Sequence, residues 1–131
     1  MGLKVQQFAN KFSILCLQEV HGEEAEIMLF LSRILPGWKC FISASRSIDD
    51  LDCPGAGGVV SAISPRLCSQ VNRFELFNLY SGRCISVSMW IENSKINIIN
   101  IHNFEIPKQH VLGIGRHLSM LLEESFLRAG L

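Results

Sequence analysis

Apolar and polar positions follow one another along this chain with a period that changes from segment to segment. Residues 2–11 set Leu3, Val5 and Phe8 among Lys4, Gln6, Gln7 and Asn10, an amphipathic pattern that predicts a short helix. Phe12–Val20 is a near-continuous apolar run. Strands buried on both faces read this way, so a central strand of a parallel or mixed sheet is expected. His21-Gly22 breaks the run. Over Glu23–Leu35 the apolar residues Ile27, Leu31 and Leu35 fall in one i, i+4 row, with Phe30 and Ile34 beside it. This is a helix, its first turn carrying Glu23, Glu24 and Glu26 and its end marked by Pro36-Gly37.

Trp38–Ser45 reads as a strand and Arg46–Ala56, rich in aspartate with Pro54 and Gly55, as a surface loop. Gly57–Ser64 is a strand that Pro65 closes. Gln70–Leu79 is a further strand, and Tyr80-Ser81-Gly82 turns the chain. In Arg83–Ile91 the residues Ile85, Val87, Met89 and Ile91 alternate with Ser86, Ser88 and Trp90, which predicts a half-buried strand. Glu92-Asn93-Ser94 is a hairpin turn. In the following strand, Lys95–Asn103, alternation places Ile96, Ile98, Asn100 and His102 on one face. After Pro107 the stripe Val111, Ile114, Leu118, Leu121 and Leu122 predicts a helix to about Arg128. The order is helix, strand, helix, four or five mainly antiparallel strands, then helix, which implies an α/β fold with a mixed sheet flanked by helices in one domain over residues 1–131.

Composition supports a packed core: 48% of the 131 residues are hydrophobic and the mean hydropathy is +0.26. Twelve basic residues balance twelve acidic ones. That is not the footprint of a strongly basic nucleic-acid binder, although a neutral enzyme still grips DNA through a local patch. The five cysteines (Cys16, Cys40, Cys53, Cys68, Cys84) stand singly. Without a Cys-x-x-Cys pair a zinc site is not expected, and an odd count argues for a reducing compartment. The longest apolar stretch, Ile27–Leu35, is interrupted by Ser32 and Arg33. Neither a membrane span nor a secretory leader is expected, which places the chain in the cytoplasm or nucleus.

Three stretches carry candidate chemistry. In Leu17-Gln18-Glu19-Val20-His21 a carboxylate stands at the carboxyl end of a buried strand. A buried carboxylate needs compensation, and a hard cation such as Mg²⁺ supplies it. A Glu19 that has left the sheet, solvated or paired with an arginine, is the alternative. In Pro54-Gly55-Ala56-Gly57-Gly58 the glycines suit either a backbone approach to a phosphate or a plain loop entering a strand. In Asn100-Ile101-His102 two polar residues share a face at the end of an isoleucine-rich strand. His102 there either donates to a phosphate oxygen or has a structural role. Gly113-Ile114-Gly115 is not a dinucleotide loop, because it lacks a third glycine and does not directly follow a strand. His110 and His117 read as structural.

Taken in order, Ile14–Glu19, Gly57–Ile63 and Ile98–His102 resemble the endonuclease/exonuclease/phosphatase superfamily. That family embraces apurinic endonucleases, pancreatic deoxyribonuclease, neutral sphingomyelinases and the endonuclease domains of non-LTR retrotransposons. Cys16–Gly22 looks most like the retrotransposon type. The resemblance implies a DNase I-like, four-layer α/β sandwich and hydrolysis of phosphodiesters assisted by Mg²⁺, with Mn²⁺ as a possible substitute. It implies Glu19 as the metal ligand, with Gln18 and His21 near the site. His102 then takes the tyrosine-or-histidine position beside the scissile phosphate, with Asn100 close by as a second catalytic residue. DNA is the implied partner of a complete domain. A phospholipid or nucleotide phosphodiesterase of the same family, and a non-catalytic interaction module, are the other readings.

The departures from the family pattern are plain. The family's asparagine-bearing first strand has no counterpart before residue 2. Its Gly-Asp-Phe-Asn-like and Ser-Asp-His-like motifs, which supply the later aspartates and the general base, have no counterpart either, since the last aspartate is Asp52. The chain is therefore expected to match about the first half of a family domain and to be inactive alone, because a general base contributes about 10²–10⁴-fold. A half-sandwich is also expected to leave an apolar sheet face open for pairing or aggregation.

Overall fold

A computed structural model of the chain describes residues 2–44, 57–102 and 108–128. These form α1 (Gly2–Ala9), β1 (Ile14–Gln18), α2 (Glu24–Ile34), β2 (Lys39–Ser43), β3 (Val59–Ile63), α3 (Pro65–Cys68), β4 (Arg73–Tyr80), β5 (Cys84–Ile91), β6 (Ser94–Ile101) and α4 (Lys108–Arg128). The fold is α/β with two small sheets. One has the order β1-β3-β2 and the other β4-β5-β6. Every described pairing is antiparallel, so the expected mixed sheet is corrected. The loop expected over Arg46–Ala56, together with Asn103 and Pro107, falls outside the described residues.

The apolar run around β1 also needs correction. β1 is not the central strand of its described sheet; β3 is, pairing with β1 from Ile14↔Ile63 to Gln18↔Val59 and with β2 from Lys39↔Ile63 to Ser43↔Val59. All five residues of β3 are buried. Leu15 and Leu17 pack with Val5 of α1 and Ile27 and Leu31 of α2, whereas Ile14 joins a second cluster on the opposite face. A strand covered on both faces reads as apolar whether or not it has neighbours on both edges. Periodicity reports faces, and it is silent on edges.

That second cluster joins the two sheets. Ile63, Val87 and Met89 are fully buried and pack with Ile14, Phe41, Phe74 and Ile98. The rings of Phe41 and Phe74 meet at 5.4 Å. The sheet face expected to stand open is thus covered by the other sheet, and the exposed large apolar side chains lie mostly on the helices and near their ends, among them Leu3, Phe12, Leu29, Leu112 and Leu122. β5 is likewise buried on both faces rather than half-buried, with no exposure from Cys84 to Met89. Its second face carries Cys84, which packs with Ile114 of α4. Alternation sets Ser86 and Ser88 on that face, where Ser88 Oγ donates to Asn97 Oδ1 at 2.7 Å.

The row Ile27, Leu31 and Leu35 is buried, as its spacing predicts. In α3, by contrast, Pro65 opens a helical turn rather than merely closing a strand. Ser64 Oγ accepts from Leu67 N at 3.2 Å, an N-cap followed by proline at the first helical position.

Candidate functional site

The carboxyl ends of β1 and β6 meet where the two sheets touch. Gln18, the last residue of β1, donates from Nε2 to the carbonyl of Ile101, the last of β6, at 2.6 Å. It also reaches Asn100 Oδ1 at 3.4 Å. Asn100 is 1% exposed. Its Nδ2 donates to Val60 O at 2.9 Å, and lies 3.3 Å from Leu17 O and 3.4 Å from Ser61 Oγ. The asparagine braces β6 against β1 and β3. Its amide faces into the seam between the sheets.

The chain leaves β1 by a sharp change of backbone. Glu19 has φ of +56°, a left-handed conformation that a side chain with a Cβ adopts at a cost of about 1–2 kcal/mol. The next residue is held by main chain: Val20 N donates to Gly58 O at 3.1 Å, and Gly58 N donates to Gly82 O at 2.9 Å. Gly58 has φ of +99°, and a Cβ there would collide with the Val20 carbonyl. A Cβ on Gly57 would collide with the guanidinium of Arg83. Close passage of protein against protein is what these glycines allow; the neighbouring Pro54-Gly55-Ala56 lies outside the described residues.

Glu19, turned out of the strand, is 42% exposed in its side chain and accepts from two imidazoles. His102 Nε2 stands 2.6 Å from Glu19 Oε1, and His21 Nε2 stands 3.2 Å from Oε2. The His102 side chain is 26% exposed, and its backbone N donates to Arg83 O at 2.7 Å. Gln18, Glu19, His21, Asn100 and His102 are therefore neighbours, although 83 residues separate Glu19 from His102 in the chain. A cavity of about 370 Å³ adjoins them, bounded by Glu19, Val20, His21, Glu26, Ile27 and Phe30.

Chemically, the arrangement is a solvent-reachable carboxylate orienting an imidazole. One carboxylate is a small part of what a magnesium ion takes. That ion asks for near-octahedral oxygen ligation, usually one or two carboxylates plus water and phosphate. Both oxygens of Glu19 already face imidazole nitrogens, and among the described residues no group of three or more His, Cys, Asp or Glu is placed to hold a metal ion.

Arg83, 2% exposed, is a part of this neighbourhood that the sequence did not signal. Its Nη1 reaches Gly82 O at 3.3 Å, while its carbonyl fixes the backbone of His102. Away from the rim, the rings of His110 and Tyr80 meet tilted at 4.6 Å, as do those of His117 and Phe77 at 5.0 Å. Cys16, Cys40, Cys68 and Cys84 are free thiols. Burial pushes Cys84 up to about 11. Among the described residues no helix is long and apolar enough to cross a membrane. A scan against protein-family models finds no match, and a search of curated proteins finds none.

Proposed function

We propose that the chain carries one rim of a phosphodiesterase site of the DNase I-like kind, of the type that cuts nucleic acid, and does not complete that site. The observation behind this reading is the 2.6 Å contact between Glu19 and His102. It joins two motifs that the family resemblance pairs. Two face-to-face sheets with helices on their outer sides are in keeping with a four-layer sandwich. In this reading Glu19 orients His102 toward a phosphate oxygen. Asn100 has a positioning role, since its amide is engaged within the seam. DNA is the substrate class, and Mg²⁺ belongs to a complete domain rather than to the described residues.

Purified chain incubated with Mg²⁺ and supercoiled plasmid is expected to leave the plasmid intact, as no aspartate follows Asp52 to serve a general base. Metal-dependent nicking that disappears in Glu19→Ala would overturn the incomplete-site reading. A non-catalytic interaction module is the second reading. It is favoured by the exposed apolar residues Val111, Leu112, Met120 and Leu122 on α4.

A further inference from the structure

The outer side of α4 bears a shallow groove of about 500 Å³ whose lining includes Leu112, Gly115, Arg116, Ser119, Met120 and Glu123. α4 turns Ile114 and Leu121 to the protein and leaves Leu112 and Met120 exposed. Among the described residues nothing approaches within 4 Å of the place a Cβ would take on Gly115, so the middle of the groove is open to close helix approach. One cation and one anion stand two turns apart along it. Among the described residues neither Arg116 nor Glu123 makes an ion pair in its own chain.

We propose that α4 pairs with α4 of a second copy of this chain, antiparallel, about a two-fold axis between Ser119 and Met120. Under that axis, position 116 falls opposite position 123 of the other copy, and the reverse. Each cation then meets an anion twice over, as an isologous interface requires. The groove is self-complementary in charge: the same two residues supply both halves of both ion pairs. Small Ser119 and Gly115 let the helices approach near the axis, and Leu112 covers each end. The formal net charge of +0 leaves no overall repulsion between copies. This pairing is independent of the phosphodiesterase reading.

Sedimentation velocity on the full chain over a range of concentrations tests it. A monomer–dimer equilibrium is expected. Arg116→Glu and Glu123→Arg should each weaken dimerisation about tenfold, by setting like charges opposite each other. The doubly exchanged chain should recover the parent affinity. Both side chains are exposed, and unchanged far-UV circular dichroism confirms that the variants fold. A chain that stays monomeric throughout overturns the proposal. So does self-association that ignores the single exchanges, or that the double exchange fails to restore.

Discussion

Asn100 is the residue on which the meeting of the sheets depends most directly. Its buried amide serves Val60 O, with Leu17 O and Ser61 Oγ at the edge of hydrogen-bond reach, so truncation leaves buried acceptors unserved. Asn100→Leu is expected to lower unfolding free energy by about 1–3 kcal/mol in denaturant titration. Asn100→Asp should cost at least as much, since a carboxylate cannot donate to these carbonyls. His117 is the residue to watch in acid. Burial, and secondarily the charge of Lys95 on β6, hold its imidazole below the ordinary value of 6.5, with Glu124 on α4 opposing. The unfolded chain therefore binds a proton more readily than the folded one. The stability tied to His117 is intact above pH 6.5 and is lost as pH falls below it. The denaturation midpoint should drop over that range, and His117→Gln should flatten the drop. At this scale the sequence was informative where polarity interrupted apolar runs, as at Glu19, Asn100 and His102. It was silent on Arg83, and it marked Gly58 for close backbone approach without showing that the Val20 carbonyl is what comes close.

Among the elements, the β5–β6 hairpin carries a correctable strain. Its first loop residue, Glu92, has φ of +54°, a conformation suited to glycine. Glu92→Gly is expected to stabilise the chain by about 0.5–1 kcal/mol, read as a higher thermal midpoint. Helix α2 was legible because its row Ile27, Leu31 and Leu35 has one face to fill and fills it. α4 was legible as a helix but not in its contacts. Of the stripe Val111, Ile114, Leu118, Leu121 and Leu122, Ile114 and Leu121 are buried and the others exposed. They lie seven residues apart, a seam narrower than the apolar arc, because the helix touches its sheet along a line. α3 is a single turn, too short for periodicity, and Pro65 read as the close of a strand where it opens this turn.

For the molecule as a whole, the apolar run at β1 and the alternation along β5 and β6 told that faces are covered and left open what covers them. That question is answered by long-range meetings such as Phe41 with Phe74, and Gln18 with Asn100. Neither is encoded in a local window. The α/β class and the antiparallel β5–β6 hairpin were therefore legible, while the division of the strands into two wholly antiparallel sheets was not readable from periodicity. Lys95 Nζ, 2.6 Å from Glu124 Oε2, ties α4 to the hairpin in the same non-local way. The fastening from Val20 through Gly58 to Gly82 is of another kind, being made wholly of backbone groups. Val20 enters it through its N–H alone, so ordinary side-chain drift at that end leaves the clasp itself closed. Gly58 and Gly82, both at positive φ, lack that freedom, and the rim inherits its shape from two links that have no side chain to vary.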